Sequence, residues 1–292
     1  MDLFIVDAFT DKCFAGNTAG VVIYTEKDNI DKNYMLNLAA ELRYSETAFI
    51  KKTGEKNYSV RFFTPVSEVN LCGHATIASF EVLKQFDKLT PGTICTMDSN
   101  AGKLPIYIEN DRVMMEQATP KEGKILDSSE ILESLAQALG INPELIGDQN
   151  YNNLKPQLIS TGLWDILVPL KTKKSLIELK PNYKKISEIT KKFDAVSLHV
   201  FTLDISDAIA NCRDFAPLYG INEESATGTA NGALTYYLYK HNVIKDINRP
   251  NLILQGESLN RPSKIYARIL ENPIKILVGG PACIISKGTL FV

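Results

Sequence analysis

An internal repeat constrains this chain more than any other feature of its sequence. Shifting the 292-residue chain against itself by 152 residues aligns 33 positions, of which nine are identical, whereas average composition gives about two. The identical pairs include Arg61 with Arg213, Phe63 with Phe215, Pro65 with Pro217 and, after a three-residue gap, Gly73 with Gly228. Both copies contain a strand pattern, an Arg-x-Phe-x-Pro motif, a loop, a glycine and an apolar helix. The repeat therefore predicts two similar halves.

Local periodicity places strands and helices in both halves. Residues 58–62 and 196–200 alternate apolar and polar side chains, as half-buried strands do. Residues 35–42 and 131–139 have apolar residues at helical spacing, the second stretch between Ser128 and Gly140. Helices separated by several strands favour an α+β fold over a strict βαβ alternation.

Composition agrees with a two-domain globular chain, because about 150 residues per domain is the usual length. Lys plus Arg number 32 and Asp plus Glu 34, and 45% of residues are hydrophobic. This near balance argues against nucleic acid or an acidic membrane as partner. The longest uncharged run, residues 225–239, is shorter than the roughly 20 apolar residues of a transmembrane helix. No membrane span is predicted.

The first residues and the cysteines indicate the expected compartment. Residues 1–7 contain two acids and no basic cluster, so we expect no signal peptide. The five cysteines, at positions 13, 72, 95, 212 and 283, are odd in number and form no CxxC pair. They predict a cytoplasmic protein without a disulfide framework or a zinc site.

Each half contains a helix that begins at a glycine within a run of small residues, at Gly73 and at Gly228. Such a start leaves backbone N–H groups open to a ligand, and the helix dipole favours an anion there. If the halves face each other, both starts point at one carboxylate or phosphate. Alternatively, the glycines only allow tight turns and close packing. Nucleotide binding is unsupported, because no GxGxxG follows a strand and no Walker lysine is present.

Glu46 is the acid that best fits proton transfer. It lies at the start of a short apolar, strand-like run, and the aligned residue of the second half is Leu198. If both halves contribute to one site, only the first half contributes an acid at this position. Apolar surroundings suit a carboxyl group to general acid/base work near neutral pH. The alternative is an edge-strand glutamate that faces water or Lys51.

His74 and Cys72 flank the first glycine. His74 either transfers a proton or merely packs at the helix start. Cys72 is either a reactive thiol or an inert buried one. Together they form half of a metal site, but no second ligand pair is spaced to complete it.

The remaining candidates are weaker. Glu224 precedes the second glycine-started helix, where it either faces the substrate opposite Glu46 or complements the helix dipole. His199 and His241 have the sequence surroundings of ordinary surface residues. No GxSxG motif is present, which disfavours a serine hydrolase.

Five motifs in this order resemble the phenazine-biosynthesis PhzF-like family. They are Phe14-Ala15-Gly16-Asn17, Ser45-Glu46-Thr47-Ala48-Phe49, Arg61-Phe62-Phe63-Thr64-Pro65, Leu71-Cys72-Gly73-His74-Ala75-Thr76 and Ala226-Thr227-Gly228-Thr229-Ala230. With Gly279-Gly280 and Gly288-Thr289 near the end, the resemblance covers essentially the whole chain.

The resemblance implies the diaminopimelate-epimerase-like fold. Its two similar domains each curl a mixed sheet around a central helix, with a cleft between them. The last strand returns to the first domain, so residues 1–117 with 276–292 and residues 118–275 are the expected domains. The family's catalytic glutamate and histidine fall on Glu46 and His74. The residues expected to bind the substrate are Asn17, Gly73, His74, Gly228 and Thr229.

Three departures from the family pattern concern the chemistry. Glu224-Ser225 stands where the family often has Asp-Pro, with Thr229 in place of a serine, which puts the second acid/base role in doubt. Thr18 stands where proline is common. Cys72 matches the first of the two catalytic cysteines of diaminopimelate epimerase, but Thr227 occupies the second. A two-thiol racemase mechanism therefore lacks one base.

The sequence thus predicts a cofactor-independent isomerase that moves a proton on a small carboxylate-bearing metabolite, without a metal. Glu46 is the expected general acid/base, assisted by His74 and Glu224, and two opposed helix N-termini hold the anion. A homodimer is the usual expectation for such an enzyme. The alternative is a non-catalytic protein that binds a small anion or a partner, and a weaker one is single-thiol chemistry at Cys72. Phenazine synthesis itself does not follow from family membership.

Overall fold

The polypeptide divides into two units. A computed structural model describes residues 1–151, 154–247 and 249–291. The first unit consists of Met1–Glu116 with Gly279–Val292, and the second of Gln117–Val278. Among the described residues, no helix has the length and apolar character needed to cross a membrane.

The first unit is a mixed sheet with one helix packed on its inner face. Its elements are β1 (Asp2–Ala8), β2 (Asn17–Ile23), α1 (Lys32–Leu42), β3 (Thr47–Lys52), β4 (Asn57–Phe63), β5 (Glu68–Val69), α2 (Gly73–Phe86), β6 (Ile94–Ser99), β7 (Gly102–Ile108) and β8 (Val113–Glu116). The last strand of the chain, Ala282–Thr289, pairs with β1. From it the order continues β1–β2–β3–β4–β6–β7–β8, with the short β5 also on β4. Helix α2 contacts strands from both ends of this order, so the sheet curls around it.

The second unit has the same plan. Its elements are β9 (Lys121–Ile125), α3 (Ser129–Leu139), β10 (Gln157–Ser160), β11 (Trp164–Leu170), α4 (Lys173–Ile177), α5 (Tyr183–Lys192), β12 (Ser197–Thr202), β13 (Ala210–Ala216), β14 (Ile221–Glu224), α6 (Gly228–Lys240), β15 (Asn251–Gln255), β16 (Ser263–Leu270) and β17 (Lys275–Gly280), after which β18 (Ala282–Thr289) returns to the first unit. The sheet order is β9–β10–β11–β12–β13–β15–β16, with β14 on β13. Helices α3 and α5 cover its outer face, and α6 packs on β10, β11 and β16.

The strand directions match between the units, which confirms the predicted repeat and the α+β class. In the first unit β2 is parallel to β3, and β4 to β6. In the second unit β11 is parallel to β12, and β13 to β15. The central helices α2 and α6 each follow the two-strand ribbon β4–β5 or β13–β14. The glycines that the repeat aligns, Gly73 and Gly228, are the first residues of these helices.

The arginine of the Arg-x-Phe-x-Pro motif holds together the two-strand ribbon that precedes each central helix. Arg61 on β4 makes two hydrogen bonds to the carboxylate of Glu68 on β5, of 2.8 and 2.9 Å. Its guanidinium also lies 5.1 Å from the centre of the Phe63 ring. Arg213 and Glu223 form the same fork at 2.8 and 2.8 Å. Two planar, charge-assisted bonds hold one geometry, which explains why both copies need arginine at this position.

The central helices are buried along most of their length. Residues 74–83 of α2 are all buried, as are residues 230–238 of α6. Small and apolar side chains on every face allow this, because a helix inside a curled sheet has no solvent-facing stripe. The unpaired backbone groups of such a helix are therefore found only at its ends.

The local sequence predictions are confirmed, with one difference in burial. Helices α1 and α3 cover residues 32–42 and 129–139, and α3 ends at Gly140 in the left-handed conformation, with φ 69°. Strand β4 buries Tyr58, Val60 and Phe62 as the alternation predicts. Strand β12, however, is buried on both faces, because α3 and α5 cover one face and Phe201 on the other packs against Tyr237 of α6.

Strand pairing corrects the residue that corresponds to Glu46. Thr47 lies opposite the motif phenylalanine in the first unit, and Leu198 lies opposite it in the second. Glu46 immediately precedes Thr47, so its counterpart is Ser197 and not Leu198. The sequence alignment is off by one at this point, because the register between β12 and β13 differs by one residue from that between β3 and β4.

The expectation of a chain without disulfides is wrong in this structure. Cys13 and Cys283 form a disulfide, with Cα atoms 5.7 Å apart. They are 270 residues apart in sequence, but Cys283 on β18 pairs directly with Asp7 of β1. The returning strand therefore places Cys283 beside the loop that contains Cys13. No sequence spacing signals this pair.

The Arg61–Glu68 pair gives a pH-dependent contribution to stability. The guanidinium holds the pKa of Glu68 at about 2, below the ordinary 4.5. The stabilisation is therefore full above pH 4.5 and is lost as the pH falls towards 2. We expect Glu68→Gln to lower the free energy of unfolding by about 2 kcal/mol at pH 7, after discounting for solvent screening.

Chemical denaturation between pH 7 and pH 2 measures this effect. The difference between wild type and Glu68→Gln should shrink as the pH falls below 4.5. The exposed Glu55 provides the matched control, since Glu55→Gln should show no such dependence. A difference that stays constant with pH would contradict the assigned role of the ion pair.

Candidate functional site

The first group of predicted site residues lies where β2 and β3 begin. These two strands are parallel, and the N–H of Gly20 on β2 donates to the carbonyl oxygen of Glu46 at 3.2 Å. Asn17 is the first residue of β2, so Asn17 and Glu46 both lie at the amino ends of neighbouring parallel strands. The Glu46 side chain is 17% exposed.

Helix α2 brings the other residues to the same place. Cys72 is its N-cap residue but makes no capping hydrogen bond with its side chain, and Gly73 and His74 are the first two helical residues. His74 is buried, with 5% of its side chain exposed. The start of the helix is therefore without a side-chain cap, which leaves the first N–H groups available to a ligand.

The His74 ring is the centre of the cluster. Its Nδ1 lies 3.3 Å from the amide nitrogen of Asn17 and 3.4 Å from the Cys72 sulfur. Its Nε2 lies 3.4 Å from the Ser45 hydroxyl and 3.4 Å from a carboxylate oxygen of Glu46. Both ring nitrogens are thus occupied, and one edge of the ring faces the carboxylate.

The contacts fit one tautomer of His74. With the Asn17 amide nitrogen facing Nδ1, the neutral ring satisfies this contact when its proton lies on Nε2, which faces Glu46. Burial lowers the pKa of His74, and the neighbouring Glu46 carboxylate opposes this effect. A neutral imidazole that donates towards a carboxylate holds that carboxylate in place.

The loop before β2 positions Asn17 through a buried acid. Asp7 accepts hydrogen bonds from the N–H of Phe14 at 2.7 Å and from the Thr18 hydroxyl at 2.6 Å. The Thr18 hydroxyl thus makes a hydrogen bond that a proline side chain at this position cannot make. Gly16 closes the loop with φ 65°, where an added Cβ would come within 2.1 Å of the Ala8 carbonyl oxygen. Only glycine fits this turn.

The second group of predicted residues lies in the second unit. Glu224 ends β14, half-buried, and Gly228 and Thr229 begin α6. The N-cap residue Thr227 also makes no capping hydrogen bond, although threonine is a favourable cap. Its hydroxyl donates instead to Asp214 at 3.1 Å. The structure therefore brings Asn17, Glu46, Gly73 and His74 together in one unit and Glu224, Gly228 and Thr229 in the other.

A buried polar network behind Thr227 was missed from the sequence. Asp214 accepts from Ser197 at 2.7 Å and from His199 Nδ1 at 2.9 Å, in addition to Thr227. His199 is fully buried, so its interpretation as a surface residue is wrong, and His241 is half-buried against Tyr237. Alternation along β12 indicated a polar face for His199 but not that α6 covers that face.

Counting protons in this network locates one on Asp165. The Ser197 hydroxyl lies 2.7 Å from Asp214 and 2.9 Å from Asp165, yet it has one proton to donate. The second contact therefore needs a proton on a carboxyl group. Burial and the nearby Asp214 carboxylate raise the pKa of Asp165 well above its ordinary value. The Ser197 hydroxyl is thus shared between the two carboxyl groups, of which Asp165 is the one that favours the protonated form.

Glu46 joins Cys72 and His74 in a cluster that the sequence spacing did not predict. A carboxylate oxygen of Glu46, the Cys72 sulfur and a His74 ring nitrogen all lie within 4.8 Å of one another. Sequence spacing did not reveal this group, because Glu46 comes from a different strand. It is the one such cluster of three among the described residues.

Comparison with known proteins agrees with this architecture. A hydroxyproline epimerase of Agrobacterium vitis, 12% identical, shares the fold at a TM-score of 0.60, over 99% of this chain and 91% of that one. A Bacillus anthracis phenazine biosynthesis protein of the PhzF family superposes with a TM-score of 0.87 at 26% identity, over 100% of this chain and 99% of that one. The predicted epimerase-like fold class is confirmed.

The family follows from the sequence comparison. Residues 6–288 match the model of the phenazine biosynthesis-like (PhzC-PhzF) protein family, and the chain belongs to that family. An uncharacterized isomerase of Clostridium acetobutylicum is 35% identical over 99% of this chain and 97% of its own length. The resemblance inferred from five motifs is confirmed, and the protein is an enzyme of the isomerase class.

The proton on Asp165 makes the second unit's stability depend on pH. The folded protein keeps this proton above pH 4, whereas the unfolded chain releases it. Stability is therefore lost as the pH rises from about 4, by up to about 1.4 kcal/mol per pH unit. Asparagine mimics the protonated acid, so we expect Asp165→Asn to gain stability over wild type between pH 4 and pH 7.

Denaturation curves at several pH values test this assignment, with Asp214→Asn as the comparison. Asp214→Asn should lose about 2 kcal/mol or more, because three donors, two of them buried, lose a carboxylate acceptor. If Asp165→Asn differs from wild type by the same amount at pH 4 and pH 7, the proton is not on Asp165.

Proposed function

We propose that this isomerase shifts a proton on a small carboxylate-bearing metabolite, with Glu46 as the general acid/base. The observation that carries the proposal is the partly exposed Glu46 carboxylate, 3.4 Å from the buried, neutral His74 at the uncapped start of α2. A base within reach of an anion-binding helix start has the geometry for removing a proton next to a carboxylate.

The backbone N–H groups at the starts of α2 and α6 are the proposed anion sites. Both helices lack a side-chain cap, and in α6 this has a specific cause. The Thr227 hydroxyl donates a hydrogen bond to Asp214 and does not accept one from the first N–H groups of α6. A ligand carboxylate would replace the missing cap and interact favourably with the helix dipole.

His74 and Glu224 are assigned supporting roles. His74 orients the Glu46 carboxylate through the Nε2–H that faces it, and Asn17 fixes the ring. Glu224, at the end of β14, is the proposed second acid/base group. A single carboxylate that removes and returns a proton suits a 1,3-shift better than inversion, because inversion needs delivery to the opposite face. The reaction needs no cofactor in this proposal.

Deuterium exchange tests the role of Glu46. Wild-type protein is incubated in D2O with a panel of small carboxylic acids, and proton NMR follows loss of C–H signals from any acid that is converted. Glu46→Gln should slow this exchange by at least about 100-fold, since general acid/base groups contribute about that much. Glu55→Gln, an exposed glutamate elsewhere in the same unit, should exchange at the wild-type rate.

Other outcomes separate the rival functions. If Glu46→Gln exchanges as fast as wild type, Glu46 is not the base. An acid that binds tightly, with no deuterium incorporated and no product formed, would favour a binding protein instead. Loss of exchange in Cys72→Ala with full activity in Glu46→Gln would favour thiol chemistry. The proposed cytoplasmic, homodimeric state is checked by fractionation and by light scattering.

A further inference from the structure

The two bridged cysteines differ from the other three in their access to solvent. Cys13 is exposed and Cys283 is half-buried, whereas Cys72, Cys95 and Cys212 are free thiols in buried positions. Exposed disulfides exchange more readily than enclosed ones, because a thiolate must reach one of the two sulfur atoms. The Cys13–Cys283 bridge is therefore accessible to a small thiol in solution, in contrast to the three free cysteines.

The bridge connects the loop between β1 and β2 to β18. Cys13 lies in this loop, residues 9–16, and Cys283 lies on β18, opposite Asp7 of β1. The loop leads into Asn17, the first residue of β2. The bridge therefore restrains a segment that enters the candidate site directly.

The backbone beside the bridge has an unfavourable conformation. Phe14, directly after Cys13, has a φ of 67°, in the left-handed region that bulky side chains rarely adopt. Burial does not compensate for this cost, because 74% of Phe14 is exposed. Such a conformation persists only where the surrounding structure holds it. The bridge at Cys13 and the hydrogen bond of 2.7 Å from the Phe14 N–H to Asp7 are two restraints that do so.

Asn17 connects this loop to the candidate site. It follows Phe14 by three residues, and its amide nitrogen lies 3.3 Å from His74 Nδ1. The other ring nitrogen, Nε2, lies 3.4 Å from the Glu46 carboxylate. A change in the loop that moves Asn17 therefore alters the contact that fixes the His74 ring, and through the ring it alters the position of the carboxylate.

We propose that Cys13 and Cys283 form a reversible redox site that regulates the candidate site through this loop. With the disulfide in place, Phe14 is held in its left-handed conformation and Asn17 stays on the His74 ring. Reduction removes one restraint, so Phe14 relaxes and Asn17 holds the ring less firmly. The effect on catalysis rests on the proposed function, but the effect on the His74 ring does not.

The chemistry of the switch is thiol–disulfide exchange with a low-molecular-weight thiol such as glutathione. A glutathione thiolate attacks the exposed Cys13 sulfur, the S–S bond breaks, and Cys283 leaves as a thiolate. A second glutathione thiolate attacks the mixed disulfide at Cys13 and releases glutathione disulfide. Two glutathione thiols are thus oxidised to one disulfide, and the two cysteines take up the two electrons and two protons. Glutathione disulfide is the oxidant of the reverse reaction, which restores the bridge.

Alkylation followed by mass spectrometry measures the state of the bridge. After the folded protein is incubated with reduced glutathione, iodoacetamide should label both Cys13 and Cys283. Treatment with glutathione disulfide should protect both residues again. The buried Cys95 is the internal reference and should stay unlabelled in both states. A bridge that reduced glutathione does not open, or that does not form again, would contradict the proposal.

Nitrogen-15 NMR of the histidine rings tests the link to the candidate site without any substrate. The chain has three histidines, and the variant His74→Gln identifies the His74 signals. On reduction, the chemical shifts of the two His74 ring nitrogens should move towards each other, because a ring without a fixed partner on Nδ1 populates both neutral tautomers. The His199 signals should not change, since that ring is buried in the second unit and bonded to Asp214.

Two variants separate this mechanism from a disulfide that only stabilises the fold. The double variant Cys13→Ser, Cys283→Ser should give the His74 signals of the reduced protein with either form of glutathione. In Phe14→Asn the new residue tolerates the left-handed conformation, so the His74 signals should change less on reduction than they do in wild type. Circular dichroism verifies that each variant is folded, and Cys13→Ser replaces the double variant if the latter is not. His74 signals that are identical in oxidised and reduced wild type, or an undiminished change in Phe14→Asn, would overturn the proposal.

Deuterium exchange of a converted acid then measures the consequence for catalysis. Reduced wild type should exchange about tenfold more slowly than oxidised wild type, since a misplacement of about 1 Å can cost about 100-fold. The double variant should exchange at the slow rate under both conditions, and Cys95→Ala should respond as wild type does. A response that the double variant retains would assign the effect to another cysteine, such as Cys72, and would contradict the proposal.

The outcomes distinguish this proposal from the proposed function. His74 signals that respond to glutathione in a protein that exchanges no acid support the redox site and contradict the proposed function. Exchange that depends on Glu46 but not on the state of the bridge has the opposite consequence.

Discussion

The burial of a helix inside a curled sheet is the constraint on which the rest of each unit depends. With residues 75–83 of α2 buried on every face, the helix can take part in a site only through its first residues, Gly73 and His74. Its peptide N–H groups are free only in the first turn. Polar chemistry is therefore restricted to the place where the helix begins, and the fold directs strands β2 and β3 to the same place. The site follows from this geometry before any particular side chain is considered.

The repetition of such a unit produces two equivalent positions, and this chain uses them differently. The first unit has Glu46, Cys72 and His74 at the helix start, with the Glu46 carboxylate partly exposed. The second has Ser197 in the place of Glu46 and Thr227 in the place of Cys72, and both hydroxyls are bonded to buried carboxyl groups. Both units have acidic groups near the helix start, but in the second unit Asp165 and Asp214 are buried. The two units thus differ in how far these acidic side chains are exposed to solvent, and not in whether acidic side chains are present.

The sequence was sufficient for the repeat, the fold class, the family and the neighbourhood of Glu46, His74 and Gly73. These depend on periodicity and on motifs whose spacing is local. The network around Asp214 was not predictable, because it joins three strands and a helix start through residues that look like ordinary polar positions one by one. The one-residue register difference at Ser197 and the Cys13–Cys283 pair were missed for a related reason. Both are set by pairings between distant segments, which a single sequence does not display.

The return of β18 to the first unit affects the order in which the protein can form. Residues 117–278 are contiguous and contain all the strands of their own sheet apart from the end of β17, so this part can complete its core as soon as it leaves the ribosome. The other sheet lacks its β18 edge until after the second unit has been made, although β1 is synthesised before that unit. Strand β1 therefore has one unpaired edge until β18 is made, and such an edge is prone to aggregation during synthesis. The charged side chain of Asp2 and the early hairpin with β2 are suited to protect it during that interval.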